Sequence, residues 1–112
     1  MRPSITKHIR IKECGYSVND LADTTYIDSE RIKNIRRGKT KHISLEEVVA
    51  LGLGLGLQPE EIYDLVEKSP VKKFNNKRHN IIYVLIRKYY MYPIDTFNQA
   101  LLDLDEEPLT AL

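Results

Sequence analysis

Three histidines, one cysteine and three Glu-Glu pairs are the groups through which this chain of 112 residues would carry out acid–base, nucleophilic or metal chemistry. His8, His42 and His79 have no Cys, carboxylate or His at metal-ligand spacing, and no His-Glu-x-x-His pattern is present. Glu46-Glu47, Glu60-Glu61 and Glu106-Glu107 stand at predicted helix starts or in a tail, where the helix dipole or solubility accounts for them. Cys14, just before Gly15, reads as a small buried apolar group, and with no second cysteine it cannot form an internal disulfide. The run Leu51-Gly52-Leu53-Gly54-Leu55-Gly56-Leu57 invites comparison with a phosphate loop. No strand precedes it, no Lys-Ser/Thr follows it, and its spacing fits neither nucleotide fingerprint. The expectation is therefore a chain with no catalytic residues, no metal site and no cofactor, and not an enzyme.

Charge offers a different chemistry. The formal net charge is only +1. Residues 1–43 nevertheless hold ten Lys/Arg against five Asp/Glu, and residues 44–71 one against six. Residues 72–88 hold six against none, and residues 89–112 none against five. Local fields, not net charge, decide what a surface attracts within a Debye length of about 8 Å at physiological salt. Such blocks are also what solvated helix faces look like. Residues 31–41 stand out, with six basic groups and no acid, a density suited to nucleic-acid phosphates.

Helices must carry these groups, and their start and stop signals are plain. Ser4 can cap a helix over about residues 5–14 that stops at Gly15. Ser17-Val18-Asn19-Asp20 opens a second, with Leu21 and Ala22 inward. Asp28 caps a third, with Ile27 and Ile32 as a hydrophobic staple and Gly38 as the stop. Ser44-Leu45-Glu46-Glu47 is a capping box for a fourth, which is expected to end between Gly52 and Gly56. Pro59 suits the first position of a fifth, carrying Ile62, Leu65 and Val66 inward and ending at Ser69-Pro70. A strongly apolar helix over about residues 77–91 follows, then Pro93 and a last helix capped by Asp95.

A short helix, a tight turn and a second helix with a basic far end make a helix-turn-helix pattern between Ser17 and Lys41. The stretch Leu21-Ala22-Asp23-Thr24-Thr25-Tyr26-Ile27-Asp28-Ser29-Glu30-Arg31-Ile32-Lys33-Asn34-Ile35-Arg36-Arg37-Gly38-Lys39 resembles the Cro/repressor-type helix-turn-helix proteins. That large bacterial and phage family is also called the xenobiotic-response-element-like regulators. Its pattern has Leu-Ala early in the second helix, an aliphatic residue and a cap before the recognition helix, Ile four residues later, and an Arg/Asn-Gly-Lys end. Residues 44–67 are similar to its fourth and fifth helices, so the resemblance covers roughly residues 5–68. It implies a five-helix repressor-like DNA-binding module over residues 1–71; residues 72–112 lie outside it and read as a two-helix C-terminal extension, so the chain is expected to be all-α.

The chain departs from the family pattern at two positions. Tyr26 stands where the family has Gly in the turn, and a bulky residue in left-handed conformation is strained, which predicts a turn of different shape. Val18 stands where many members have a phosphate-clamping Gln. Phosphate contact there falls to backbone N–H groups at the helix start, aided by Ser17 or Asn19.

The physics of groove reading assigns the remaining roles. A recognition helix enters the ~12 Å major groove and offers polar side chains to base edges. Ser29, Glu30, Lys33 and Asn34 lie opposite Ile32 and Ile35 and are the expected base contacts. Glu30 can accept from cytosine N4, Lys33 can donate to guanine, and Asn34 can pair with adenine. Ser17, Asn19, Arg31, Arg36, Arg37, Lys39 and Lys41 are the expected phosphate contacts.

The apolar helix around Ile81–Tyr89 has more apolar surface than one neighbour can cover. Ile82, Leu85, Ile86, Tyr89 and Tyr90 are therefore expected at a homodimer interface. The alternative is that the helix packs wholly inside one subunit, against Leu51–Leu57 and the last helix. The sequence-based reading is a cytoplasmic transcriptional regulator of duplex DNA, a repressor in the first instance. An antitoxin-type autorepressor that grips a protein partner through residues 72–112 stands beside it. So does an adaptor that has lost DNA binding. The longest apolar run, Ile81–Ile86, is far short of the ~20 residues a membrane helix needs, and the N-terminus has no apolar signal core.

Overall fold

The computed structural model of the chain describes residues 18–39, 43–69 and 77–110. The expected helix over residues 5–14, together with Ser17 and Lys41, lies outside the described residues. Among the described residues there are six helices and no strand: α1 (Val18–Thr25), α2 (Ser29–Arg36), α3 (Leu45–Gly54), α4 (Pro59–Lys68), α5 (Lys77–Tyr89) and α6 (Ile94–Asp103). The chain is all-α.

Local chemistry sets the boundaries. Asp28 caps α2, its carboxylate accepting the Glu30 N–H at 3.1 Å, while Ile27 and Ile32 are both buried as the staple requires. Gly38 then takes φ 72°, and the amides of Gly38 and Lys39 return to the carbonyls of Ile35 and Asn34 at 3.1 and 3.0 Å, a Schellman closure. The capping box of α3 is complete, with Ser44 Oγ accepting from Glu47 N and Glu47 Oε1 accepting from Ser44 N, each at 3.1 Å. α4 begins on Pro59, and Glu61 reaches back to accept the Gln58 N–H at 2.8 Å. At α6 the expectation needs correcting. Pro93, not Asp95, holds the cap position, and Asp95 sits in the first turn.

The glycine run is a packing device. α3 ends within it at Gly54, as the sequence suggests. A Cβ on Gly54 would stand 2.7 Å from Thr25 Cγ2, and one on Gly52 would stand 2.9 Å from Ile62 Cγ1. Backbone therefore runs directly against the end of α1 on one side and the start of α4 on the other. This explains why a buried helix tolerates residues that weaken it by about 1 kcal/mol each relative to Ala.

All six helices contribute to one core: Leu21, Ile32, Ile35, Val48, Leu51, Ile62, Leu65, Ile82, Ile86, Phe97 and Leu101 are each less than 2% exposed. This overturns one expectation. Ile82, Leu85 and Ile86 are not available to a second subunit, because they lie on the inner face of α5, which packs against α4 and α6, and all three are buried within the chain. Among the described residues the large apolar groups left exposed are Tyr26, Val84, Met91, Tyr92, Leu102 and Leu104, with Tyr89 and Tyr90 half-buried.

The alternating charge blocks meet across the helices. Arg78 at the start of α5 donates to Glu46 at 2.9 Å, to Glu106 at 3.0 Å and to the Glu107 carbonyl at 2.9 Å. Burial opposes its charge, but the two carboxylates outweigh burial and raise its pKa. Arg87 pairs with Glu60 at 2.9 Å and lies 5.3 Å from the centre of the Tyr63 ring. The Tyr63 hydroxyl donates to the Tyr83 carbonyl at 2.7 Å, fixing α4 to α5.

Candidate nucleic-acid interface

α2 turns Ile32 and Ile35 into the core, and its 3.6-residue period then fixes what faces outward. Glu30, Lys33, Asn34 and Arg37 occur at i, i+3, i+4 and i+7 and form the outer row. Glu30 and Arg37 are exposed, Lys33 and Asn34 half-exposed, and the Lys33 ammonium lies 3.6 Å from Glu30 Oε1. Three of the four expected base readers thus lie together on this row. Ser29 stands on its flank, half-buried beside the cap. Arg37, expected at a phosphate, completes the row, a placement readable from its spacing to Glu30.

The basic residues divide by position. Arg36 ends α2, Arg37 caps it, and Lys39 leaves after Gly38, both Arg37 and Lys39 being exposed. Asn19 is exposed in the first turn of α1, next to half-buried Val18. Arg31 is placed differently from its expected phosphate role. Its Nε and Nη2 donate to the two carboxylate oxygens of Glu47 at 2.7 and 2.9 Å. That bidentate bond braces α2 against α3. Arg31 holds the Glu47 carboxyl below the usual carboxylate range, with Ser44 assisting, and Glu47 raises Arg31 in return. Sequence reasoning saw Glu47 as half of a capping box and missed its second partner.

The turn between α1 and α2 also differs from expectation. Tyr26 keeps the left-handed conformation, φ 64°, rather than reshaping the turn. Its N–H donates to the Ala22 carbonyl at 2.9 Å, and the Ile27 N–H is taken by Thr25 Oγ1 at 3.3 Å. A shallow open groove of about 740 Å³ runs beside the turn, lined by Asn19, Ala22, Asp23, Tyr26, Ile27, Asp28 and Ser29. Asp23 and Asp28 place negative charge on its lining and make it a poor seat for phosphate. Among the described residues no group of three His, Cys, Asp or Glu is placed to hold a metal ion.

Two helices set across a tight turn, the second capped at both ends and carrying a polar, basic outer row, define a helix-turn-helix module. The family model of the Cro/C1-type HTH DNA-binding domain matches residues 8–68, more than half of the chain, and the chain belongs to that family. It is a DNA-binding protein of the transcription-regulating kind. No curated protein and no solved structure matches the chain. No helix among the described residues is long and apolar enough to cross a membrane.

Proposed function

We propose that this chain is a sequence-specific transcriptional repressor of bacterial or phage type that works in the cytoplasm without catalysis, laying α2 in the major groove of duplex DNA. The observation that carries the reading is the outer row Glu30, Lys33, Asn34 and Arg37 on a helix held rigid by its caps and by the Arg31–Glu47 brace. Ser29, Glu30, Lys33 and Asn34 read bases, while Arg36, Arg37, Lys39 and the start of α1 at Asn19 hold phosphates. Selection of bound fragments from random duplex DNA tests it. Enrichment of one short motif is the expected result, and an unenriched pool overturns the reading.

One reading helix spans too few base pairs to stand out in a genome, so the repressor works as a homodimer with half-sites about 34–36 Å apart. The outer faces of α5 and α6 support this. They expose Val84 and Met91 beside the basic Lys77, Arg87 and Lys88, and Leu102 and Leu104 beside the acidic Asp103 and Asp105. Two copies related by a two-fold axis bring each basic face against an acidic one. The same exposed groups favour a second reading, an antitoxin-type autorepressor that offers residues 72–112 to a protein partner. A chain that enriches no duplex yet self-associates points to the adaptor reading instead.

A further inference from the structure

The left-handed turn residue of the helix-turn-helix is a tyrosine, and that tyrosine reaches out of the module. Its hydroxyl donates to Asp95 Oδ1 at 2.7 Å, across 69 positions of chain. Asp95 lies in the first turn of α6, between Ile94 and Phe97, which are 3% and 0% exposed. The acceptor therefore stands on an element anchored in the core. The donor stands on the hinge between α1 and α2, where Tyr26 holds φ 64°. Side chains other than glycine keep that conformation only where their surroundings enforce it. The end of α1 is itself fixed, since Gly54 lets α3 approach to where a Cβ would stand 2.7 Å from Thr25 Cγ2. The direction in which α2 leaves this hinge is held on its inner side by Ile32 and Ile35 in the core and by the Arg31–Glu47 bond, and at the turn itself by the Tyr26–Asp95 bond.

From this geometry we infer that the C-terminal extension sets the presentation of the recognition helix, with Asp95 and Tyr26 as a strut from α6 to the turn. Both are positioning residues that touch no base. The strut gives residues 72–112 an effect on DNA recognition that does not depend on subunit pairing. Asp95 raises the pKa of the Tyr26 hydroxyl through the same hydrogen bond. The inference rests on the DNA-binding reading above, and the two fail in different ways.

The test is a double-mutant cycle of Tyr26→Phe, Asp95→Ala and both together, in the full chain. Affinity is measured for a duplex selected by the wild type, well below the unfolding temperature of every variant. Each single change is expected to weaken binding by about three- to tenfold, with the double no worse than either. The sign at Asp95 is decisive. A carboxylate acting by charge alone repels phosphate, so its removal would tighten binding and Tyr26→Phe would do nothing. Amide hydrogen exchange over Ile27–Glu30 gives a reading without DNA, and is expected to speed up equally in both single variants. A wild type that binds no duplex overturns both readings. A wild type that binds, with the single variants unchanged, tighter or additive, or with exchange unaffected, overturns the strut alone.

Discussion

At the scale of single residues, the outer row of α2 and its brace make separable claims. Lys33 and Glu30 are assigned to base edges, so replacing either with Ala is expected to relax preference at one or two positions of the selected site by about 1–3 kcal/mol. Arg37→Ala is expected to weaken all sequences alike and to lower the salt slope by about one unit. Competition binding with single-base variants of the site separates the two behaviours. The Arg31–Glu47 pair makes a claim about stability. Glu47 has its carboxyl pKa depressed in the folded chain, so its contribution is complete above the ordinary value of about 4.3. The contribution is lost as pH falls through the lower folded value. Glu47→Gln keeps an acceptor for the Ser44 N–H and removes the charge facing Arg31. It is expected to cost about 1 kcal/mol at pH 7, discounted for the pair's partial exposure. The difference from wild type in urea midpoint should shrink as pH falls below 4. A constant difference across that range would mean the pair contributes nothing through charge.

At the scale of elements, close approach matters more than propensity. Gly54→Ala would put a methyl group 2.7 Å from Thr25 Cγ2, where neither the end of α1 nor α3 can give way cheaply. The expected loss is about 1–3 kcal/mol in thermal or urea unfolding, although Ala favours helix more than Gly does. A stabilised variant would show that α1 and α3 are not pinned at this point. The starts and stops of α2, α3 and α4 were legible in the sequence because their causes are local. Asp28, Ser44 with Glu47, Pro59, Gly38 and Gly56 each act within a few residues of where they stand. The outward face of α2 was legible for the same reason, since Ile32 and Ile35 fix the rotation of the helix. The links from Arg31 to Glu47, from Tyr26 to Asp95 and from Arg78 to Glu106 were not. They join residues 16, 69 and 28 positions apart, and no local pattern marks them. The inner face of α5 was misjudged for a related reason. Apolar residues around a helix show that it must be covered, but not whether its own chain or a second copy does so. Ile82, Leu85 and Ile86 are covered by their own chain.

At the scale of the whole molecule, the extension and the helix-turn-helix share a core and a set of ion pairs. Arg78 holds Glu46 on α3 and Glu106 beyond α6 together with the first turn of α5. Arg78→Met leaves two half-buried carboxylates unpaired, and is expected to cost about 2 kcal/mol in urea unfolding at pH 7. An unchanged midpoint would show that the extension is held by its apolar contacts alone. Such rigidity has a purpose if α2 must keep one angle to the DNA while a two-fold axis relates it to a second copy. The most direct test of that purpose is equilibrium binding of the full chain, as salt is raised, to its selected duplex and to a scrambled duplex of the same composition. If the bound dimer neutralises about 6–10 phosphates, affinity for the selected duplex should fall by roughly 10³–10⁵ between 50 and 200 mM salt. It should also stay well above that for the scrambled duplex throughout. Equal affinity for the two duplexes, or a flat response to salt, would contradict α2 as a reader of DNA.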